Sequence, residues 1–153
     1  GLSYATFAWG QPRVSGATST SVAEPVVVEV DVTNTSARDG VEVVQIYVEP
    51  PESVLHRPVR ELKGFAKVHV AAGATETARV ELDARAFAYF DPGDTLFEDL
   101  ASLMPVPAAA GGRRTASGWY VEPGMYRLVV ARSAVDHEDF VAVELEGDET
   151  RLA

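Results

Sequence analysis

The sequence predicts an all-β protein: an antiparallel sandwich of about seven strands with one short helical or flexible insertion. Three observations carry that prediction. First, apolar residues recur with a period of two: Val26, Val28, Val30 and Val32 alternate with Val27, Glu29, Asp31 and Thr33, and Ala78, Val80 and Leu82 alternate with Thr77, Arg79 and Glu81. That is the pattern of strands with one wet face. Second, turn-forming clusters separate these segments, at residues 34–40, 71–74 and 91–94. Third, no helical pattern alternates with the strands, as a parallel sheet would require.

Taken in order, the chain opens with a segment over residues 4–14 that carries Phe7 and Trp9, set apart by Pro12 and a run of small residues at 15–21. The valine strand follows. After it, Asp39 and Gly40 are expected to supply the left-handed position of a hairpin. The next strand is apolar on both faces, with Val44, Ile46 and Val48 on one and Val41, Val43 and Tyr47 on the other. Such a strand needs a neighbour on each side. One is the second sheet; the other is either an external surface or the insertion.

Pro50 and Pro51 break this strand, a loop passes through His56, Arg57 and Pro58, and regular structure resumes near Leu62 and runs to Val70. Phe87, Tyr89 and Phe90 form an aromatic cluster before the turn at 91–94. Residues 95–104 read as a short helix, with Thr95 as cap, Glu98 three positions on, and Leu96, Leu100 and Leu103 on one face. Residues 105–117 are rich in Pro, Ala and Gly, so the insertion spans 95–117. Trp119, Tyr120 and Val121 lead into a strand marked by Tyr126, Leu128 and Val130. A last strand carries Val141, Val143 and Leu145, and residues 148–153 read as a tail.

At 153 residues the chain is expected to be a single domain, burying roughly two-thirds of its unfolded surface. There is no cysteine, which excludes disulfides, thiolate metal sites and thiol nucleophiles. A net charge of −10 without a basic stripe argues against nucleic acid. The apolar runs fall far short of the ~20 residues that cross a bilayer. His56, His69 and His137 lack metal-ligand spacing, and Asp136, His137, Glu138 and Asp139 read as a solvated loop. No cofactor or metal is expected. Hydrolysis by a carboxylate pair, one as acid and one as nucleophile, needs the two about 5 Å apart. The 23 acidic residues fall mainly on wet strand faces or in turns, so no catalytic residue is assigned.

Several motifs occur together and in order: Gly1-Leu2-Ser3-Tyr4-Ala5-Thr6-Phe7, Val32-Thr33-Asn34-Thr35, the run from Gly40 to Val48, Arg57-Pro58-Val59-Arg60-Glu61-Leu62-Lys63-Gly64-Phe65, and the closing stretch from Trp119 to Tyr126. With them the chain resembles the C-terminal fibronectin type III-like domain of glycoside hydrolase family 3, the β-glucosidase and β-xylosidase group. The resemblance implies an immunoglobulin-like sandwich inside a longer protein whose preceding barrel and αβ domains hold the aspartate nucleophile and glutamate acid/base. Neither has a counterpart here. It also implies that the domain packs against both, with the loop from Pro50 to Pro58 at that interface. The sequence departs from the family at His56, where proline is usual, and in the insertion.

Two sets of candidate residues follow. Val43, Tyr47, Arg57, Pro58, Arg60 and Lys63 are candidates for docking against the catalytic domains, the cations through bidentate pairing with carboxylates. Trp9, Trp119 and Tyr120, with Tyr126, are candidates for stacking on an oligosaccharide. The expected role is that of a non-catalytic accessory domain of a β-glycosidase, bordering its substrate entrance; the alternative is an independent carbohydrate-binding module.

Overall fold

The computed structural model describes residues 4–15, 19–21, 23–51, 57–93 and 116–152. The first half of the chain forms β1 (Phe7–Trp9), β2 (Arg13–Ser15), β3 (Ser19–Ser21), β4 (Val26–Asn34), β5 (Gly40–Glu49), β6 (Glu61–Val70) and β7 (Thr75–Leu82). The second half forms α1 (Ala84–Phe87), β8 (Tyr89–Asp91), β9 (Gly118–Val121), β10 (Gly124–Ala131), β11 (His137–Glu146) and β12 (Thr150–Leu152).

Two sheets face each other. In the first, β4 pairs with β7 along one side; along the other it pairs with β1 at Val32 to Asn34 and with β2 at Val27 to Glu29. Thus β1 and β2 are one edge strand broken at Gly10 to Pro12. The second sheet has the order β3-β11-β10-β5-β6. Counting β1 with β2 as one, the two facing sheets hold eight strands: this one with β3, β4, β5, β6, β7, β10 and β11. The pairing is antiparallel except for the short β3, which runs parallel to β11. A small third sheet, β12-β9-β8, closes one end.

Period-two alternation delivers the core. Val26, Val28, Val30 and Val32 of β4 and Ala78, Val80 and Leu82 of β7 meet Val44, Ile46 and Val48 of β5 and Tyr126, Leu128 and Val130 of β10. Phe87 packs edge-on to Tyr126, ring centroids 5.2 Å apart. Tyr126 is fully buried and donates its hydroxyl to the carbonyl of Glu122 at 2.8 Å, the tyrosine corner of immunoglobulin-like sandwiches. Burial pushes this phenol above its ordinary range, while the neighbouring Arg57 guanidinium pulls the other way.

Four expectations are corrected. The link from β4 to β5 is a crossover between the two sheets and not a hairpin. Gly40 has no positive φ; it is glycine because a Cβ there would lie 2.5 Å from Ala5 Cβ and 2.7 Å from Phe7 Cζ. Buried Asn34 organises the crossover, donating to the carbonyls of Arg38 at 2.7 Å and Val70 at 2.9 Å and accepting from the Ser36 N–H at 3.0 Å. The expected tail supplies β12, because β9 offers it a pairing edge, and Leu152 packs against the core. His137 to Asp139 belong to β11 and not to a loop. The aromatic cluster divides, with Phe87 and Tyr89 buried and Phe90 exposed. The helix expected over 95–104, with Leu96, Leu100 and Leu103, lies outside the described residues, as does His56.

Candidate functional site

The outer faces of the two sheets differ in chemistry. On the four-stranded sheet the outward positions of β4 are Glu29, Asp31 and Thr33. Arg13 reaches Asp31 with both terminal nitrogens at 3.1 and 3.2 Å and Glu29 at 3.3 Å. Arg79 reaches Glu29 at 3.2 Å and the Thr77 hydroxyl donates to Asp31 at 2.7 Å. The Thr77 hydroxyl and the Arg13 guanidinium hold the Asp31 carboxyl below its usual range. This face is polar and satisfied from within.

On the five-stranded sheet the outward positions are mixed, with an apolar row among polar neighbours such as Gln45, Lys67 and Arg127. Leu62 of β6 stands opposite Tyr47 of β5, Tyr47 opposite Val129 of β10, and Val129 opposite Phe140 of β11. Tyr47, Val129 and Ala131 form a buried cluster of their own on this outer face. Around it Phe65 is 69% exposed, Leu62 50%, Phe140 46% and Val43 36%. Tyr47 therefore sits in the middle of the patch and Val43 on its margin. Whether the insertion covers this face is a question that falls on residues outside those described.

The candidate cations lie along one end of the same sheet. Arg60 binds Glu49 at 2.9 Å, and Arg127 binds the other oxygen of Glu49 at 2.8 Å, so a nearly buried carboxylate is clamped between two guanidinium groups. Lys63, the bulged residue where the β5–β6 register shifts, meets Glu61 at 3.4 Å. The side chain of Arg57 is only 6% exposed. Its guanidinium lies over the Tyr89 ring, 4.5 Å from the centroid, with Glu122 at 3.9 Å and Glu61 at 4.0 Å. For all three cations the carboxylates come from this chain. Pro58 is exposed next to Arg57.

The aromatic candidates are dispersed. Trp9 faces the core, and Arg132 lies over its ring at 4.6 Å. Tyr120 is buried and donates its hydroxyl to the carbonyl of Ala116 at 2.8 Å. Tyr126 is the core tyrosine described above. Trp119 is 40% exposed; it makes an edge contact with Phe90 at 5.7 Å and has Arg85 at the same distance from its ring.

The buried acids are held by donors of the chain itself. Glu49 has its two arginines, Asp91 accepts from the Gly93 N–H at 2.8 Å, and Glu122 accepts from the Tyr89 hydroxyl at 3.0 Å. Among the described residues no group of His, Cys, Asp and Glu could hold a metal ion, and no helix is long and apolar enough to cross a membrane. Sequence reasoning did not single out Leu62, Phe65 and Phe140. Their signal was positional: each stands at an outward register position of a strand whose inward residues are already apolar.

Residues 42–98 match the family described as the fibronectin type III-like domain. The chain is 38% identical over 148 residues to a β-glucosidase of Rhizobium radiobacter, covering 97% of this chain and 15% of that protein. It is 38% identical over 149 residues to an exo-α-(1→6)-L-arabinopyranosidase of Bifidobacterium longum, covering 97% of this chain and 16% of the relative. Among solved structures, the GH3 β-glucosidase of Bifidobacterium adolescentis superposes with a TM-score of 0.72 at 37% identity, over 100% of this chain and 19% of that one. β-Glucosidase 3B of Thermotoga neapolitana, in complex with α-D-glucose, gives a TM-score of 0.74 at 27% identity, over 99% of this chain and 17% of that one. The chain thus spans less than a fifth of the length of each of these relatives.

Proposed function

Because the chain belongs to the fibronectin type III-like domains of glycoside hydrolase family 3, we propose that it is a non-catalytic accessory domain packed against the catalytic domains of a β-glycosidase. The observation that carries this reading is its share of its relatives: 97% of the chain matches only 15% of a β-glucosidase. The chemistry agrees, since a general acid must be able to give up and regain a proton at the substrate, whereas the buried carboxylates here are engaged by arginines, a tyrosine and a backbone N–H of the chain itself. In this reading Arg57 and Pro58 lie at the interface with the catalytic domains, and the domain borders the substrate entrance.

The test compares the full-length protein, the same protein lacking this domain, and residues 1–153 alone. The full-length protein hydrolyses an aryl β-glycoside, the 153-residue chain does not, and removal of the domain lowers the melting temperature of what remains. Hydrolysis by residues 1–153 alone, or a truncated enzyme with unchanged Tm and kcat/KM, refutes the proposal. A second reading, carbohydrate binding in its own right, is supported by exposed Trp119 beside Phe90 and Arg85, since sugar rings stack on aromatic faces. It requires retention on insoluble cellulose or xylan that Trp119→Ala abolishes.

A further inference from the structure

We infer that the outer face of the five-stranded sheet is the surface that docks, and that the rest of the glycosidase chain presents a largely apolar surface to it. The inference rests on the accessory-domain reading and adds which face is used and the chemistry of what covers it.

Three observations point the same way. An antiparallel sheet with one face in water alternates apolar-in and polar-out, and the four-stranded sheet does so. The five-stranded sheet does not: its outward row Leu62, Tyr47, Val129, Phe140 runs unbroken across four strands. Half of the exposed large apolar residues among those described also lie there, with Val43, Leu62, Phe65, Met125 and Phe140 all at outward positions of this one sheet. Contiguous patches of this kind mark contact surfaces, whereas single exposed residues do not.

The polar groups next to the centre of this row, moreover, are satisfied before any partner arrives. The Tyr47 hydroxyl donates to Gln45 Oε1 at 2.7 Å, and Gln45 Nε2 donates to the Arg132 carbonyl at 3.0 Å. Arg127 lies 4.0 Å from the Phe140 ring centroid while bound to Glu49. A surface whose donors and acceptors already have partners can be dried without leaving orphans, which is otherwise the main cost of contact. A partner carrying many charges would gain little here. The occupant is the remainder of the same polypeptide, because relatives that match the whole of this chain extend over more than five times its length.

Thiol accessibility tests this in the full-length protein. The domain contains no cysteine, so single cysteines report cleanly once any accessible ones elsewhere are removed. Lys67→Cys probes the apolar face and leaves Phe65 in place, since Lys67 stands opposite Val43 on β5. Phe65→Cys probes the same face on the edge strand β6, opposite Gln45. Thr75→Cys probes the polar face, since Thr75 stands opposite Thr33. Rates of reaction with a maleimide are normalised to those in denaturant. Lys67→Cys and Phe65→Cys are expected to react at least an order of magnitude more slowly than Thr75→Cys. The reverse ranking overturns the choice of face and leaves the accessory-domain reading standing. Fast reaction at all three positions overturns both.

Discussion

Gly64 of β6 sets how closely the two sheets approach, and replacing it with alanine opposes two effects of known size. Alanine costs less backbone entropy than glycine in a strand, a gain of roughly 0.5–1 kcal/mol, and Gly64 has no positive φ that alanine would strain. Against this, an added Cβ would lie 2.6 Å from Val80 Cγ1 and 3.0 Å from Leu82 Cδ2. Both neighbours are core residues of β7, and the β-branched valine has little rotamer freedom with which to retreat. Overpacking of this kind costs about 1–3 kcal/mol, so the contact wins and Gly64→Ala is expected to destabilise by about 1 kcal/mol net. Urea denaturation should show a lower midpoint at unchanged m-value, and thermal melting a fall of roughly 2–4 °C per kcal/mol. The double variant Gly64→Ala/Val80→Ala should recover about 1 kcal/mol relative to the sum of the singles, because it removes the atom in the way. If Gly64→Ala is as stable as the original chain, or if Val80→Ala brings no recovery, the close approach of β6 to β7 is not what selects glycine.

Three further outcomes are expected. Asn34→Ala should cost about 2 kcal/mol in denaturant unfolding, because the buried Val70 carbonyl and the part-buried Arg38 carbonyl lose their donor. Glu49→Gln should cost about 1–2 kcal/mol, below the figure for a fully buried pair because Arg127 is half exposed and keeps its water; added salt should shrink the difference. The Asp31 carboxyl, whose pKa the Thr77 hydroxyl and Arg13 lower from 3.8, stabilises the fold fully above that value. Its contribution is lost as pH falls through the lower folded-state value. Asp31→Asn should therefore flatten the acid limb of a stability–pH profile, and an unchanged limb would show that Asp31 does not couple to folding.

What the sequence disclosed follows from whether the cause was local. Val26 to Val32 could be read as a strand because one of its faces is wet, and Ala78 to Leu82 for the same reason. The doubly apolar character of β5 was also visible, and with it the need for a second neighbour, because Val43 and Tyr47 alternate with Val44 and Ile46. The misread elements are those whose cause lies far away in the chain. Thr150 to Leu152 have no strand pattern of their own; β12 exists because β9 offers an edge and because Arg151 donates to the Ser117 carbonyl at 2.6 Å. Gly40 looked like turn chemistry but answers to Ala5 and Phe7. Arg57 was read as a docking candidate, and nothing local announced its partners within the chain, Tyr89 and Glu122, which lie more than thirty residues on. Leu62, Phe65 and Phe140 were hidden differently: each is unremarkable alone, and only the register across four strands places them on one face.

The pairing of β8 with β9 also bears on how this domain can diversify. Asp91 is registered against Gly118, and a Cβ at Gly93 would lie 2.8 Å from the Ser117 nitrogen, so the two points between which residues 94–115 are inserted are pinned side by side. The closure entropy of a flexible segment grows only logarithmically with its length, about 0.6 kcal/mol for each doubling. With its stem clamped by a sheet that β12 backs on the far side, this position is a port. Sequence can be added, removed or exchanged there at little thermodynamic expense to the sandwich, so lineages can vary this stretch while the β4–β5–β10 core stays as it is.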